Sequence, residues 1–230
     1  MKTELRVTLI QKPQYPDWLA GFAASICSGN GNTSKALEHA LDGNHLSVTE
    51  HATFTFYVSG VSRALLAQLT RHRIASFSVQ SQRYVSMDGF DFVIPPEISK
   101  LGKEAEDEFA RQMMTINQWY CEWSERLVQN GRKKTQANED ARFVLPNAAA
   151  TCLLVTMNAR ELLHFFELRC CTHAQWEIRE LAWAMLKECK KSAPKIFELA
   201  GPGCTGGVCP EGKRSCGMMW KDEAHGTTHE

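Results

Sequence analysis

HATFTFYVSGVSRALLAQLTRHR, residues 51–73, changes its hydrophobic period part-way along. Phe54, Phe56 and Val58 fall on one side of an extended chain and Thr53, Thr55 and Tyr57 on the other, the alternation of a half-buried strand. Gly60 is expected to break that strand, and residues 61–73 then read as a helix with a mostly apolar body. The same mixture continues outward on both sides. Residues 5–10 alternate as a strand that Pro13 and Pro16 stop, and Thr33 or Ser34 can cap a short helix to Leu41, with Gly43 ending it.

Downstream, residues 97–130 form the longest periodic segment. Phe109, Met113, Ile116, Tyr120, Trp123 and Leu127 repeat at spacings of four and three, and Asn130-Gly131 closes the run. The seam is short for a coiled coil, so packing within the chain is the preferred reading, with a contact between subunits as the alternative. Residues 138–143 look helical up to Pro146, residues 149–159 (AATCLLVTMNA) suit a strand, and residues 160–169 and 175–191 suit helices. In the last of these, Trp176, Ile178, Leu181, Met185 and Leu186 make the apolar stripe. Helices and strands mix without a regular βαβ series, so the fold class is α+β.

Composition narrows the function. Lys plus Arg and Asp plus Glu each number 26 among 230 residues, which argues against non-specific attraction to nucleic acid or an anionic membrane surface. The opening MKTELRVTLIQKPQYPDW has no apolar core followed by a small-residue cleavage site, and no stretch is long and apolar enough for a membrane span. Nine cysteines, an odd number unevenly spread, do not resemble a secreted disulfide framework, so a cytoplasmic location is expected.

Against that balance, His51 to Met87 holds no Asp or Glu, where about four would be expected at the chain's average. Its cations are Arg63, Arg71, Arg73 and Arg83, all arginines, whose planar fork suits bidentate bonds to phosphate. On a helix Gln68 and Arg71 share a face, and in an extended segment Ser81 and Arg83 point to one side. Together they suggest a cradle for a phosphorylated small molecule. A solvated basic face, or arginines paired with carboxylates elsewhere, is the plainer alternative. An RNA-binding patch is less favoured, because Phe77 and Tyr84 alone make a thin stacking platform. A nucleophilic role for Ser81 lacks support, since His72 has no obvious carboxylate partner in the sequence.

Arg71-His72-Arg73 followed after seven residues by Ser81, and then by Arg83, resembles the RHRx7S signature of the flavin-dependent thymidylate synthases. GNHLSVTEHATFTF before it, and DARFVLPNAA, MNARELLHFFELR and AQWEIRELA after it, resemble family blocks in the family's order, covering Leu41 to Trp183. The resemblance implies a central mixed α/β domain with a sheet flanked by long helices, here residues 1–200, followed by a Cys- and Gly-rich extension and polar tail at 201–230. It implies reductive methylation of dUMP to dTMP, with methylenetetrahydrofolate giving the carbon, FAD carrying the hydride and NADPH reducing the flavin. It also implies a homotetramer with active sites shared between subunits.

By the same resemblance Gln68, Arg71, Gln80, Ser81, Gln82, Arg83, Arg142 and Arg169 bind dUMP. FAD meets Ser47, Arg71, His72, Arg73, Val79, Asn158, Arg160 and His164. Arg169 is the residue expected to polarise the uracil, and His45 resembles a histidine near the flavin, with a packed or capping histidine as the alternative. Val79 and His164 stand where some members carry an acidic residue and asparagine, so Val79 contributes backbone or packing only. Another FAD-dependent oxidoreductase, or a nucleotide-binding module without catalysis, remains the alternative function. Cys204, Cys209 and Cys216 have spacings that can hold a soft metal, but the pattern is no standard zinc ribbon, and no metal is expected. Cys170 and Cys171 are read as packing residues, and the terminal KDEAHGTTHE as frayed.

Overall fold

The computed structural model describes residues 1–29, 31–205 and 207–217. The expected fraying of the terminal segment lies outside the described residues. Eight α-helices and four strands alternate irregularly along the described chain, and the strands form one antiparallel sheet in the order β1-β2-β4-β3. β1 is Arg6–Gln11, β2 Thr53–Ser62, β3 Ala75–Val79 and β4 Ala150–Asn158. The helices are α1 (Pro16–Ser28), α2 (Thr33–Asp42), α3 (Arg63–Leu69), α4 (Pro96–Lys100), α5 (Lys103–Gln129), α6 (Lys134–Ala141), α7 (Ala159–Arg169) and α8 (Trp176–Ser192). The class is therefore α+β, as the pattern requires.

Contacts divide the chain into two compact units. The first comprises Met1–Arg6, Tyr57–Arg71 and Phe77–Leu154. Its core gathers Met87, Phe90, Phe92, Ile94, Met113, Tyr120, Ala141 and Ala149. Phe109 and Ile116 pack against this cluster, so the periodic seam is buried within its own chain. The seam departs from the heptad at its C-terminal end, where Trp123 is about half exposed and Ser124 is buried instead. An α-helix has 3.6 residues per turn, so a 3.5-residue repeat drifts off the buried face. Ser124 and Tyr120 both turn their hydroxyls to Asn138 on α6, at 3.4 and 3.2 Å.

Gly60 does not break β2. It adopts a positive φ of 71° inside the strand, and a Cβ there would lie 1.9 Å from the Glu4 carbonyl oxygen. Only glycine tolerates both constraints. α3 is shorter than the sequence suggests: Ser62 caps it by accepting from the Leu65 N–H at 3.1 Å, and it ends at Leu69. Arg71–Arg73 thus lie outside the helix. The long periodic segment is split, with Gly102 at φ 106° between α4 and α5.

The second unit comprises Val7–Phe56, His72–Ser76 and Val155–Glu230. Its core is an aromatic chain in which Phe165, Phe166, Phe197 and Phe54 meet successively edge-to-face at 5.7, 5.9 and 5.6 Å. α1 has no counterpart among the sequence expectations, which took Pro16 only as the end of a strand. The residue is also an ideal helix opener, since its missing N–H falls where no helical bond is needed. Asp17 in that first turn accepts the backbone N–H groups of Lys195 and Ile196, both at 3.1 Å.

Candidate active site

β4 runs directly into α7, and that junction fixes several of the residues in question. Asn158 is both the last residue of the strand and the helix N-cap, its Oδ1 accepting the Glu161 N–H at 2.9 Å. Arg160 follows on the exposed side and pairs with Glu50, the residue that bounds the carboxylate-free stretch. His164 is exposed one turn further on, and Arg169 closes the helix. Glu161, Phe165 and Arg169, spaced by four, lie above one another on a single face.

The imidazole of His72 lies against that face. Its Nδ1 is 3.1 Å from Glu161 Oε1, its ring meets Phe165 edge-on at 5.0 Å, and its Nε2 accepts from Arg169 Nε at 3.1 Å. His72 and Glu161 are both buried. The sequence offered His72 no obvious carboxylate, and the structure corrects this: Glu161, 89 residues away, is its partner. Burial, followed by the charge of Arg169, holds the imidazole below its ordinary pKa against the opposing pull of the Glu161 bond. An Nε2 that accepts from an arginine must keep its lone pair, so this geometry belongs to the neutral ring.

His72 is flanked in sequence by two arginines of opposite character. Arg71 and Arg73 are exposed, and among the described residues neither guanidinium has a hydrogen-bond or ion-pair partner. The sequence reading of the region as carboxylate-poor holds for this pair. For Arg83 the plainer alternative applies, since it pairs with a carboxylate from elsewhere in the chain, Glu139, at 3.2 Å. Arg63 takes a different part again: its Nη2 donates to the Gln80 carbonyl at 2.8 Å and its Nε is buried without a partner. Burial first, and the charge of Arg142 second, push its pKa down. Arg63 thus anchors the chain at Gln80.

Residues 81–83 are not extended. Val85 N–H bonds back to the Ser81 carbonyl at 3.0 Å, and Ser81 Oγ accepts the Arg83 N–H at 3.2 Å, making a turn. The expectation that Ser81 and Arg83 project to one side of a strand is replaced by this turn, because a serine hydroxyl bonded two residues on competes with the extended chain. Asn138 Nδ2 holds the turn through the Arg83 carbonyl at 3.2 Å. Gln68, Arg71, Gln80, Ser81, Gln82, Arg83 and Arg142 all belong to the first unit. Ser47, His72, Arg73, Asn158, Arg160, His164, Arg169 and His45 all belong to the second. Val79 ends β3 in the first unit, half-buried. His45 is exposed, its ring so close to Gly43 that a Cβ there would lie 2.8 Å from it.

The family model described as thymidylate synthase complementing protein matches residues 8–195. A flavin-dependent thymidylate synthase of Nitratidesulfovibrio vulgaris is 52% identical over 86% of this chain and 84% of its own. That of Geobacter sulfurreducens is 45% identical over 93% and 94%. The chain belongs to the flavin-dependent thymidylate synthase family. Among solved structures, a UMP/dUMP methylase PolB from Streptomyces cacaoi bound with 5-Br dUMP superposes with a TM-score of 0.68, at 26% identity and covering 86% of this chain and 94% of that one.

Each unit of this flavin-dependent thymidylate synthase family member has a cleft of its own. In the first, about 490 Å³ is lined by Arg6, Ser59, Gln80, Asp88, Thr151 and Cys152 among others, and reaches none of Arg71, Arg83 or Arg142. In the second, about 470 Å³ is lined by Leu19, Phe22, Ile26, Ser47, Glu50 and His51 among others. Cys170 is buried, and burial pushes its thiol far up, the behaviour of a packing residue. Among the described residues no group of three or more His, Cys, Asp or Glu side chains is placed to hold a metal. No helix among them is long and apolar enough to cross a membrane.

Proposed function

We propose that this protein catalyses the reductive methylation of dUMP to dTMP, with methylenetetrahydrofolate as carbon donor, FAD as the flavin and NADPH as reductant. The observation that carries the reading is family membership together with the retained signature residues Arg71, His72, Arg73, Ser81 and Arg83. The residues fit the flavin. Arg71 and Arg73 are exposed guanidinium groups without a protein counter-charge, suited to a pyrophosphate, and Ser47 and His164 are exposed hydrogen-bonding groups. Arg160 and Asn158 would complete that set, with Val79 contributing backbone or packing. FAD, when bound, supplies the hydride.

The chain's own residues bind and polarise. Gln68, Arg71, Gln80, Ser81, Gln82, Arg83 and Arg142 would hold dUMP, the guanidinium groups on its phosphate and the Ser81 hydroxyl as a hydrogen-bonding group. Arg169 would set a fixed positive charge against the uracil, favouring charge separation in the ring. His45 would lie near the flavin. Residues 1–200 would act as one catalytic domain, with 201–230 as an extension that binds no metal. The active assembly would be a cytoplasmic homotetramer with sites shared between subunits. Several large apolar side chains, among them Trp18, Phe22, Ile26 and Phe143, are exposed on the single chain and support association.

Purified protein should be yellow, release FAD, and form dTMP from dUMP, methylenetetrahydrofolate and NADPH. Flavin reduction by NADPH without dTMP would reject the reading. Light scattering during size-exclusion chromatography checks the tetramer, and elemental analysis of reduced protein checks the metal.

A further inference from the structure

His72 is bonded at both ring nitrogens, and the chemistry of its partners dictates where its proton lies. An arginine Nε always carries hydrogen and has no lone pair to offer, so His72 Nε2, 3.1 Å away, can only accept. The remaining proton is on Nδ1, donated to Glu161 Oε1 at 3.1 Å. The spacing of four along α7 makes this possible, since one imidazole spans from Glu161 over Phe165 to Arg169. A ring carrying its proton on Nε2 would set N–H against N–H and break the bond to Arg169. An imidazolium would do the same and add like-charge repulsion. The charged or titratable groups around the ring are Glu161, Arg169 and His164, the last at 6.2 Å between ring centres.

We infer that Glu161 is a positioning residue: its carboxylate holds His72 in the Nδ1–H tautomer, so that the Nε2 lone pair fixes the Nε side of the Arg169 guanidinium in orientation. This rests on the proposed role of Arg169 toward uracil. The carboxylate acts through the imidazole, with which it is buried.

Nitrogen-15 histidine labelling of the FAD-replete enzyme tests this at mildly alkaline pH, with the His72 signals identified by their loss in His72→Gln. The wild type should show a protonated Nδ1 and an unprotonated Nε2. Glu161→Gln, whose amide oxygen still accepts from Nδ1–H, should keep that signature with a loss of only about threefold in kcat/KM for dUMP. Glu161→Ala should populate the Nε2–H form and lose about 10- to 100-fold in kcat/KM at undiminished FAD content, the scale seen when a partner that orients a functional imidazole is removed. Two results overturn the inference: an Nε2–H or doubly protonated His72 in the wild type, or a Glu161→Ala enzyme with wild-type tautomer and turnover. Should Glu161→Ala fail to fold, the wild-type and Glu161→Gln spectra decide the tautomer. A wild type that makes no dTMP counts against the catalytic reading, whereas the nitrogen spectrum judges the tautomer independently.

Discussion

Arg71 and His72 are adjacent in sequence, yet the protein treats them in opposite ways. Arg71, like Arg73, is exposed, without a carboxylate or any other side-chain partner among the described residues. His72 is buried and bonded at both nitrogens. The contrast separates two ways of preparing a site. An exposed, uncompensated guanidinium keeps its electrostatic attraction for an anion and gives up fixed geometry. A buried imidazole between an acid and an arginine surrenders charge and gains orientation. Desolvation decides between them, because a buried cation needs a counter-charge and a solvated one does not.

The largest effect should fall on the oriented side. Arg169→Ala is expected to lower dTMP formation by about 100- to 1,000-fold, as when a fixed donor to a developing charge is lost. Ser81→Ala should retain substantial activity, because Ser81 is engaged in its own turn and has no base beside it. The reverse ranking, measured by turnover of the two variants, would remove Arg169 from the chemistry. On the exposed side, Arg71→Ala should raise the KM for dUMP by about tenfold, the loss of one charge-assisted contact to phosphate. Added salt should raise that KM in the wild type and much less in the variant, since exposed charges are screened.

A subtler distinction concerns pH. The folded pKa of His72 is depressed, so its contribution to stability is fully present above the unfolded value of about 6.5 and is lost as pH falls through the folded value. Thermal unfolding should therefore move to lower temperature as the medium is acidified from about 6.5 towards the folded value, where this contribution levels off. His72→Gln should flatten this dependence, whereas removing an exposed arginine should leave the slope intact. The smallest effect belongs to Arg83, whose pairing with Glu139 is about 40% exposed on both sides. Glu139→Gln should change stability by less than about 1 kcal/mol in denaturant melts.

Much of the architecture was legible because it is local. Phe54, Phe56 and Val58 are fully buried in β2 as their alternation indicates, and the strand-to-helix passage at Asn158 lies where MNARELLHFFELR shows it. Errors came where a distant group overrides a local rule. Gly60 looked like a strand end, but a positive-φ kink against the Glu4 backbone lets the strand continue. Trp123 looked buried until the helical repeat carried Ser124 onto the inner face. The extended spacing of Ser81 and Arg83 does not show the turn, which forms because the Ser81 hydroxyl oxygen accepts a backbone N–H two residues on.

From the residues alone came the α+β class, the arginine-rich stretch without acids, and a family signature specific enough to name the reaction. Local periodicity and residue chemistry carry the first two and resemblance to a known family carries the third, and none of these depends on what folds nearby. Tertiary structure alone decided which arginines are compensated and which histidine nitrogen bears the proton. RELLHFFELR displays Glu161, Phe165 and Arg169 at helical spacing, but nothing in it names His72 as the group they would clasp. A proton's position follows from the groups that surround it after folding, and here the acid and the imidazole are 89 residues apart in the chain.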